Sequence, residues 1–558
     1  MNNESIEKKL YNLKNWFNRL FRKSEPEYVN KKNAKNAIIA TILYAVLYYY
    51  FLLPPLNIRS TETWFYIWSI LFVLIVIGGK NIKGIGILKK IAIFIVFLFI
   101  ILQIPGLKIF RAKSYSNIIN ITESNFNEDI KELSISEIPT LDRESSIRVG
   151  ARKMGELYDL VSQFNIDEDT YTQINYQNKP VRVTPLKYNG FIKYLTNMKE
   201  GIPGIIKIDI VNGEAELIRL KDKIKISKND YFFRDVTRYA RLRYPFDIFI
   251  DINFEIDDNG IPFWIIPTYK PKIAVFNALD VDGAILVNAI TGEHKKYELS
   301  EIPEWIDRIY NSESIIEQLN WSGSLKSGFF NSIFSQKNVL KTTEGYNYLA
   351  LDDDIYLYTG YTSVSSDQSN VGFLLVNQRT KETKFYPVSS AEEFSAMESA
   401  QGEVQEKGYI ATFPLLLNIH GNPTYFLSLK DNAGLIKQYA FIDAKDYQRV
   451  SVGTTVAQAL QNYNLEKRPS DDSEQIYEDK LEHGIIEDIQ SVVIDGNTHY
   501  YFTLTNSDKI FVANLKLSER LPLIKAGSII SFTYHEKQVN EVIYIESIKI
   551  QDIINDNY

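Results

Sequence analysis

The pattern of apolar and polar positions changes character once along this chain, at about residue 110. Before it lie three apolar runs: Ala37–Leu53, closed by Pro54-Pro55; Thr63–Gly79; and Ile91 to about Phe110, with Pro105 and Lys108 near its end. No charge interrupts them until that last turn. Each is long enough, as a helix, to cross a hydrocarbon core about 30 Å thick. Backbone in lipid must satisfy its own hydrogen bonds, which selects helix. A soluble core helix keeps a polar face. Three successive runs without one predict three transmembrane helices within residues 37–110.

Beyond residue 110 the apolar runs shorten. Residues 111–145 read as a connector of mixed charge, and a helix is expected over Ser146–Phe164. One order then recurs four times: a helix, a strand, a hairpin with its return strand, and a later strand ending in a short polar turn. The later strands are Ile205–Asp209, Ala284–Asn288, Phe373–Asn377 and Lys437–Asp443. In each, Asp or Asn stands three residues before Asn, Thr or Asp: Asp209 and Asn212, Asn288 and Thr291, Asn377 and Thr380, Asp443 and Asp446. Such side chains bond nearby amides, and a glycine supplies the positive φ of a tight turn. The recurring residues are therefore first a structural signature.

The hairpins fall around Gln177-Asn178, Asp257–Gly260, Asp352–Asp354 and His420–Asn422, behind helices expected at about 146–164, 230–243, 301–319 and 389–407. The repeat region, 146–463, divides at about 146–225, 226–300, 301–388 and 389–463, with 320–345 as an inserted loop. Pro469 and an acidic run mark 464–482 as a linker. The final segment, 483–558, shows five short strands, which suggests a small barrel of the OB type or, as a close alternative, an SH3-like one. The expected class is α+β: three transmembrane helices, repeated units of a helix on an antiparallel sheet, and a C-terminal OB-like β-barrel.

Charge orients the chain. Nine Lys and Arg precede the first apolar run, and Lys80, Lys83, Lys89 and Lys90 separate the second from the third, whereas only Arg59 lies between the first and second. Positive loops stay in the cytoplasm. The basic tail 1–36 is thus expected inside and everything after about 110 outside. Within the tail, Ile6, Leu10, Leu13, Phe17 and Leu20 fall on one side of a candidate amphipathic helix over 5–23 that would lie on the inner membrane surface. The first 109 residues carry a net charge of +10 and the remainder −17. An acidic body disfavours nucleic acid as a partner. With no cysteine, disulfides, thiolate metal sites and cysteine nucleophiles are excluded.

The polar turns Asp209–Glu214 and Asn288–Glu293 match the Asp-x-x-Thr-Gly-Glu-like ending of the PepSY domain family most fully. Asn377–Glu382 departs from it at the Gly, and Asp443–Gln448 at both Gly and Glu. The repeat region resembles that family. Through Tyr171–Leu186, Leu340–Asp354 and Val376–Thr380, residues 140–463 also look like a family of uncharacterised membrane-anchored extracytoplasmic proteins of low-GC Gram-positive bacteria. PepSY domains are thought to modulate peptidases or wall hydrolases. The resemblance implies an interaction role and transfers no catalytic residue.

Catalytic signatures are scarce. Five His occur without metal-ligand spacing, and there is no HExxH, P-loop or G-x-S-x-G. Asp280–Gly283 opens like a calcium loop, but Thr291 stands where the bidentate Glu is needed. Two clusters remain. Asp352, Asp353 and Asp354 at a hairpin tip are a candidate weak cation site, with a solvated turn as the alternative. Arg234, Arg238 and Arg241 share one helix face and are a candidate anion-binding patch, with internal ion pairing as the alternative. No cofactor is implied. The expected function is a membrane-anchored, non-catalytic binding or regulatory scaffold of the cell envelope, contacting an envelope protein or wall polymer. The alternatives are an envelope hydrolase with a carboxylate site, or a subunit of a membrane assembly.

Overall fold

The computed structural model describes residues 31–79, 82, 84–132, 137–364, 369–466, 479–494, 497–518, 520–535, 542–545 and 547–550. The candidate helix at 5–23 and most of the expected linker lie outside these residues. The chain is a mixed α+β protein that divides into two compact units, Met1–Lys467 and Arg468–Tyr558.

In the first unit, α1 (Lys31–Leu52), α2 (Thr61–Gly78) and α3 (Ile85–Gln103) are long and apolar enough to cross a membrane. Their outward side chains, such as Phe51, Val76 and Phe97, are exposed apolar groups. Helix α3 begins and ends earlier than its apolar run suggests. Pro105 lacks the N–H of a continuing helix, so the chain tightens into a 3₁₀ turn at Ile104–Gly106, extends at Leu107 and restarts as α4 (Lys108–Ser116). The connector is therefore partly ordered. It also supplies strand Ile121–Glu123, which pairs in parallel with Thr383–Tyr386.

Four sheets follow, each built on an antiparallel meander behind a helix. Helix α5 (Arg143–Glu156) precedes Thr172–Tyr176, Lys179–Tyr188, Ile202–Asp209 and Glu214–Ile224. Helix α6 (Val236–Arg243) precedes Asn253–Ile256, Pro262–Ile273, Asn277–Asn288 and His294–Glu298. Helix α7 (Ser312–Leu325) precedes Asn347–Leu351, Asp354–Ser363, Ser369–Asn377 and Thr383–Tyr386. Helix α8 (Glu393–Glu403) precedes Leu415–Ile419, Asn422–Lys430, Ile436–Asp443 and Val450–Gly453, and α9 (Val456–Glu466) closes the unit.

Helix α5 starts three residues before its expected Ser146 and ends before Phe164, whereas α6, α7 and α8 start later than their apolar spacing implies. Asp142, Asp235 and Asn311 cap α5, α6 and α7 through their side chains, and such caps set where a helix begins. Helix α7 thereby lies eleven residues beyond the expected start, after Pro303, and occupies part of the expected loop at 320–345. A π-helical turn at Asn331–Ser335 and strand Leu340–Thr342 fill the rest.

The four polar turns share one geometry. Asp209 Oδ1 accepts the amides of Val211 and Asn212, Asn288 Oδ1 those of Ile290 and Thr291, Asn377 Oδ1 those of Arg379 and Thr380, and Asp443 Oδ1 those of Lys445 and Asp446. Gly213, Gly292 and Lys381 hold the following positive φ. The fourth turn closes one residue later, from Asp443 N to Arg449 O, and makes no use of a positive φ there. That extra residue is why Tyr447 stands where the first two turns have glycine.

A second recurring contact is invisible in the sequence. The carbonyl just after each Asx residue accepts amides from the chain leading into that unit's own helix. Ile210 O takes Thr140 N and Leu141 N, Ala289 O takes Lys225 N and Ile226 N, Gln378 O takes Ile309 N and Tyr310 N, and Ala444 O takes Ala391 N. Each helix is thus laced to the far end of its own sheet.

The second and third sheets are buried on both faces. Trp264, Ile266, Ile285 and Val287 face a core shared with the first sheet, and Ile265 and Leu286 one shared with the third. Leu357, Leu374 and Val376 look back to the second sheet, and Tyr358, Phe373 and Leu375 toward the fourth. Unbroken apolar runs such as Phe373–Val376 are the sequence trace of strands buried on both sides.

In the second unit, strand Asp479–Ile494 is long enough to pair with two partners, Ile529–His535 along its first half and Asn497–Leu504 along its second. Ser507–Asn514 pairs in parallel with Val542–Tyr544, and Ser547–Ile550 adds a sixth strand beside Ile529–His535. Phe502, Phe511, Ile530 and Phe532 fill its core.

Candidate functional site

Arg234 ends a 3₁₀ turn, Phe232–Arg234, and does not share the helix of Arg238 and Arg241, so the three do not form one helix-face patch. Their donors bond main-chain carbonyls. Arg234 bonds Met198 O. Arg238 donates to Phe232 O at 2.6 Å and to Tyr50 O at 3.3 Å, and lies 4.3 Å from the Tyr50 ring centre. Arg241 is buried over the Phe249 ring and donates to Leu53 O at 2.9 Å and to Asp247 O.

Tyr50 and Leu53 belong to the end of α1, where a helix leaves its last carbonyls without intrahelical partners. The negative end of the helix dipole favours a cation there. Arg238 and Arg241 therefore cap the C-terminal end of α1. Burial pulls the Arg241 guanidinium down to about 10, still charged at neutral pH. Around this cap Leu56 N bonds Pro245 O, Asn57 Nδ2 bonds Phe246 O, and Phe276 packs against Trp64 and Phe99 of α2 and α3.

The hairpin acids also part company. Asp354 accepts both arms of Arg379, at 2.8 and 2.9 Å, and the Asn377 amide. Asp352 pairs with Lys131 in the open, while its carbonyl accepts Asn175 Nδ2. Partial burial, and then the neighbouring Asp354, pushes the Asp353 carboxyl up. Among the described residues no group of three or more His, Asp or Glu is arranged to hold a metal ion. The tip also contacts the first sheet through the Asn175 Nδ2 to Asp352 O bond.

Sequence reasoning missed a pair of buried acids close by. Glu255 is fully enclosed, and its two oxygens accept the amides of Asp307 and Arg308 at 2.9 and 3.0 Å. Asp307 accepts the Asn175 amide at 2.6 Å. Burial pushes Glu255 up to about 7, and burial together with Glu255 pushes Asp307 up as well. Beside them Arg308 lies against the Tyr348 ring and bonds its hydroxyl.

The buried guanidinium of Arg182 is held by Leu141 O, Ser146 Oγ and Gln173 Oε1. Gln173, Arg182 and Tyr348 line a cavity of about 20 Å³, too small for a substrate. With their oxygens turned to backbone amides, these acids are built to join sheets. No sequence signal exposes them, because each partner lies about fifty residues or more away.

A roomier concave surface lies elsewhere. A groove of about 600 Å³ runs where the connector meets the third and fourth sheets, lined by Glu123, Asn125, Asn127, Pro387, Gly421 and Lys445 among others. Its volume is in the range that accepts a short peptide or a few sugar units. Its walls carry amides, a carboxylate, an ammonium and the hydroxyl of Ser124, which donates to Asp129 Oδ2 at 2.6 Å. These positions lie too far apart in the chain to form a motif.

Neither a protein-family model nor a curated protein matches the chain. Among solved structures, a levansucrase mutant from B. megaterium is similar at 9% identity, covering 76% of this chain and 98% of that one, with a TM-score of 0.17. A likeness that weak carries no argument about fold or activity.

Proposed function

We propose that this chain is a membrane-anchored scaffold of the cell envelope that binds a partner protein or wall polymer outside the cytoplasm and acts by binding rather than by catalysis. The observation that carries this reading is the cap on the first span. The buried Arg241 and the half-buried Arg238, both bonded to the end of α1, favour a body fixed on its anchor over a module swinging on a tether. The lysine and arginine asymmetry of the loops favours an N-terminus inside and the body outside. The groove beside Asn125 and Lys445 is the surface offered to the partner. In this reading the four helix-and-meander units are PepSY-like, in keeping with their shared Asx turns. The strand pairing of the C-terminal unit, with one long strand serving two partners, favours the OB-like barrel over an SH3-like one. The alternative of a carboxylate hydrolase draws on the raised acids Glu255 and Asp307, but both are shut inside the protein.

Two measurements test it. A phosphatase reporter at the C-terminus should be active and a cytosolic fluorescent reporter there dark; the reverse would overturn the placement. A photo-crosslinking amino acid at Asn127 should capture an envelope component in intact cells, whereas the same group at the exposed Asp222 should not. Equal capture at both sites, or none at Asn127, would remove the groove from the proposal.

A further inference from the structure

The body carries large apolar side chains in the open where the spans end. Phe232 and Phe233, in the approach to α6, are 49% and 64% exposed, and the short helix Phe191–Asn197 beside them exposes Ile192. Phe246, just beyond α6, is 66% exposed. At a separate place the π-helical turn after α7 exposes Phe330 and Phe334, 62% and 77%, with their rings stacked. Phe232 holds a φ of +52°, an unfavourable backbone for a bulky residue. Two adjacent phenylalanines thus point outward at a cost in backbone energy.

Both groups are continuous with the ends of the spans. Phe233 packs edge-on against Tyr50 in the last turn of α1, with ring centres 6.4 Å apart. The carbonyl of Phe246 is bonded by Asn57, between α1 and α2. Phe329, next to Phe330, packs in a cluster with Tyr115 and Trp321. The Tyr115 hydroxyl in turn bonds Gly106 O where α3 ends. Apolar patches of this kind mark interaction surfaces. Aromatic rings at the level where helices leave lipid sit favourably in the bilayer interface.

We propose that these two apolar groups are a second lipid contact, dipping into the acyl and headgroup boundary of the leaflet on which the body stands. This rests on the three helices lying in a bilayer. Lipid is the occupant the structure favours, because both groups adjoin span ends and neither is part of the groove. The body is then held at three kinds of point: the spans, the Arg238 and Arg241 cap, and the two aromatic feet. Its tilt over the membrane is fixed accordingly.

The chain has no cysteine, so single spin labels can be placed cleanly. Phe233→Cys, Phe334→Cys, Asp352→Cys and, within α2, Val76→Cys would each be labelled with a nitroxide. The full-length protein would be reconstituted in phosphatidylcholine and phosphatidylglycerol nanodiscs. Collision with oxygen should exceed collision with a nickel chelate at 76, 233 and 334, and the order should reverse at 352. Nickel access at 233 and 334 like that at 352, with 76 in lipid, overturns the lipid contact alone. Nickel access at 76 overturns the membrane reading as well. Exclusion of both reagents at 233 or 334, with dipolar broadening that spin dilution removes, assigns the surface to a second copy and overturns the proposal.

Discussion

The Nε of Arg241 donates to the carbonyl oxygen of Leu53 at 2.9 Å, joining the body to the end of α1 across 188 positions of chain. The same guanidinium serves Asp247 O and lies over the Phe249 ring, so its removal strands carbonyls in a site closed to water. Arg241→Ala should cost on the order of 2–4 kcal/mol. Thermal unfolding in detergent should show a clear fall in Tm, with lost hydrogen-exchange protection at 238–250. Arg241→Lys should recover only part, since an ammonium lacks the planar fork. An unchanged Tm in Arg241→Ala would refute the capping role.

Glu255 predicts a pH dependence with a definite sign. Its folded-state pKa of about 7 lies above the ordinary glutamate value of 4.5. The folded protein therefore holds this proton more tightly than the unfolded chain. Its contribution is fully present below about 4.5, falls as pH rises through the folded value, and is flat above it. Denaturant unfolding at pH 5 and pH 8 should show this loss in the wild type. Glu255→Gln, with a single acceptor oxygen for the amides of Asp307 and Arg308, should be weaker throughout and show a smaller slope. A slope identical to the wild type would exclude Glu255 as its source.

The repeated turns predict losses of unequal size. Asn288→Ala leaves two amides without their side-chain acceptor, at about 1 kcal/mol, and Asn377→Ala should cost more because its Nδ2 also donates to Asp354. Gly292→Ala should cost more than a surface substitution, because Gly292 holds a φ of +77° and an added methyl would meet the Tyr239 hydroxyl. Parallel thermal melts of the three variants check this. Neutral substitutions at both Asn residues would show that the strands alone hold the turn.

Gly323 lies inside α7, where alanine ordinarily favours helix. Here an added methyl would run into the carbonyl of Leu340 and the hydroxyl of Tyr361. Overpacking of this kind typically costs about 1–3 kcal/mol. Gly323→Ala should lower Tm despite its better helix propensity. A rise in Tm would mean that strand Leu340–Thr342 yields without cost.

The sequence by itself determined what rests on interactions a few residues long. Three apolar runs predict helices long and apolar enough to cross a membrane whatever follows them. The Asx turns are legible because Asp209 meets the amide of Asn212 three positions on, and the order of helix, hairpin and strands follows from such turns and from strand spacing. Helix limits were read less well, as at α7, because the capping role of Asn311 competes with an apolar spacing that begins before Pro303. Only the tertiary structure decided where the arginines of α6 send their donors, which acids are enclosed, and which residues line the groove between 123 and 445. Arg241 has the same charge and reach in any fold. Whether it meets an anion, a carboxylate or the bare end of a helix depends on which distant segment is packed beside it, and no local pattern carries that information.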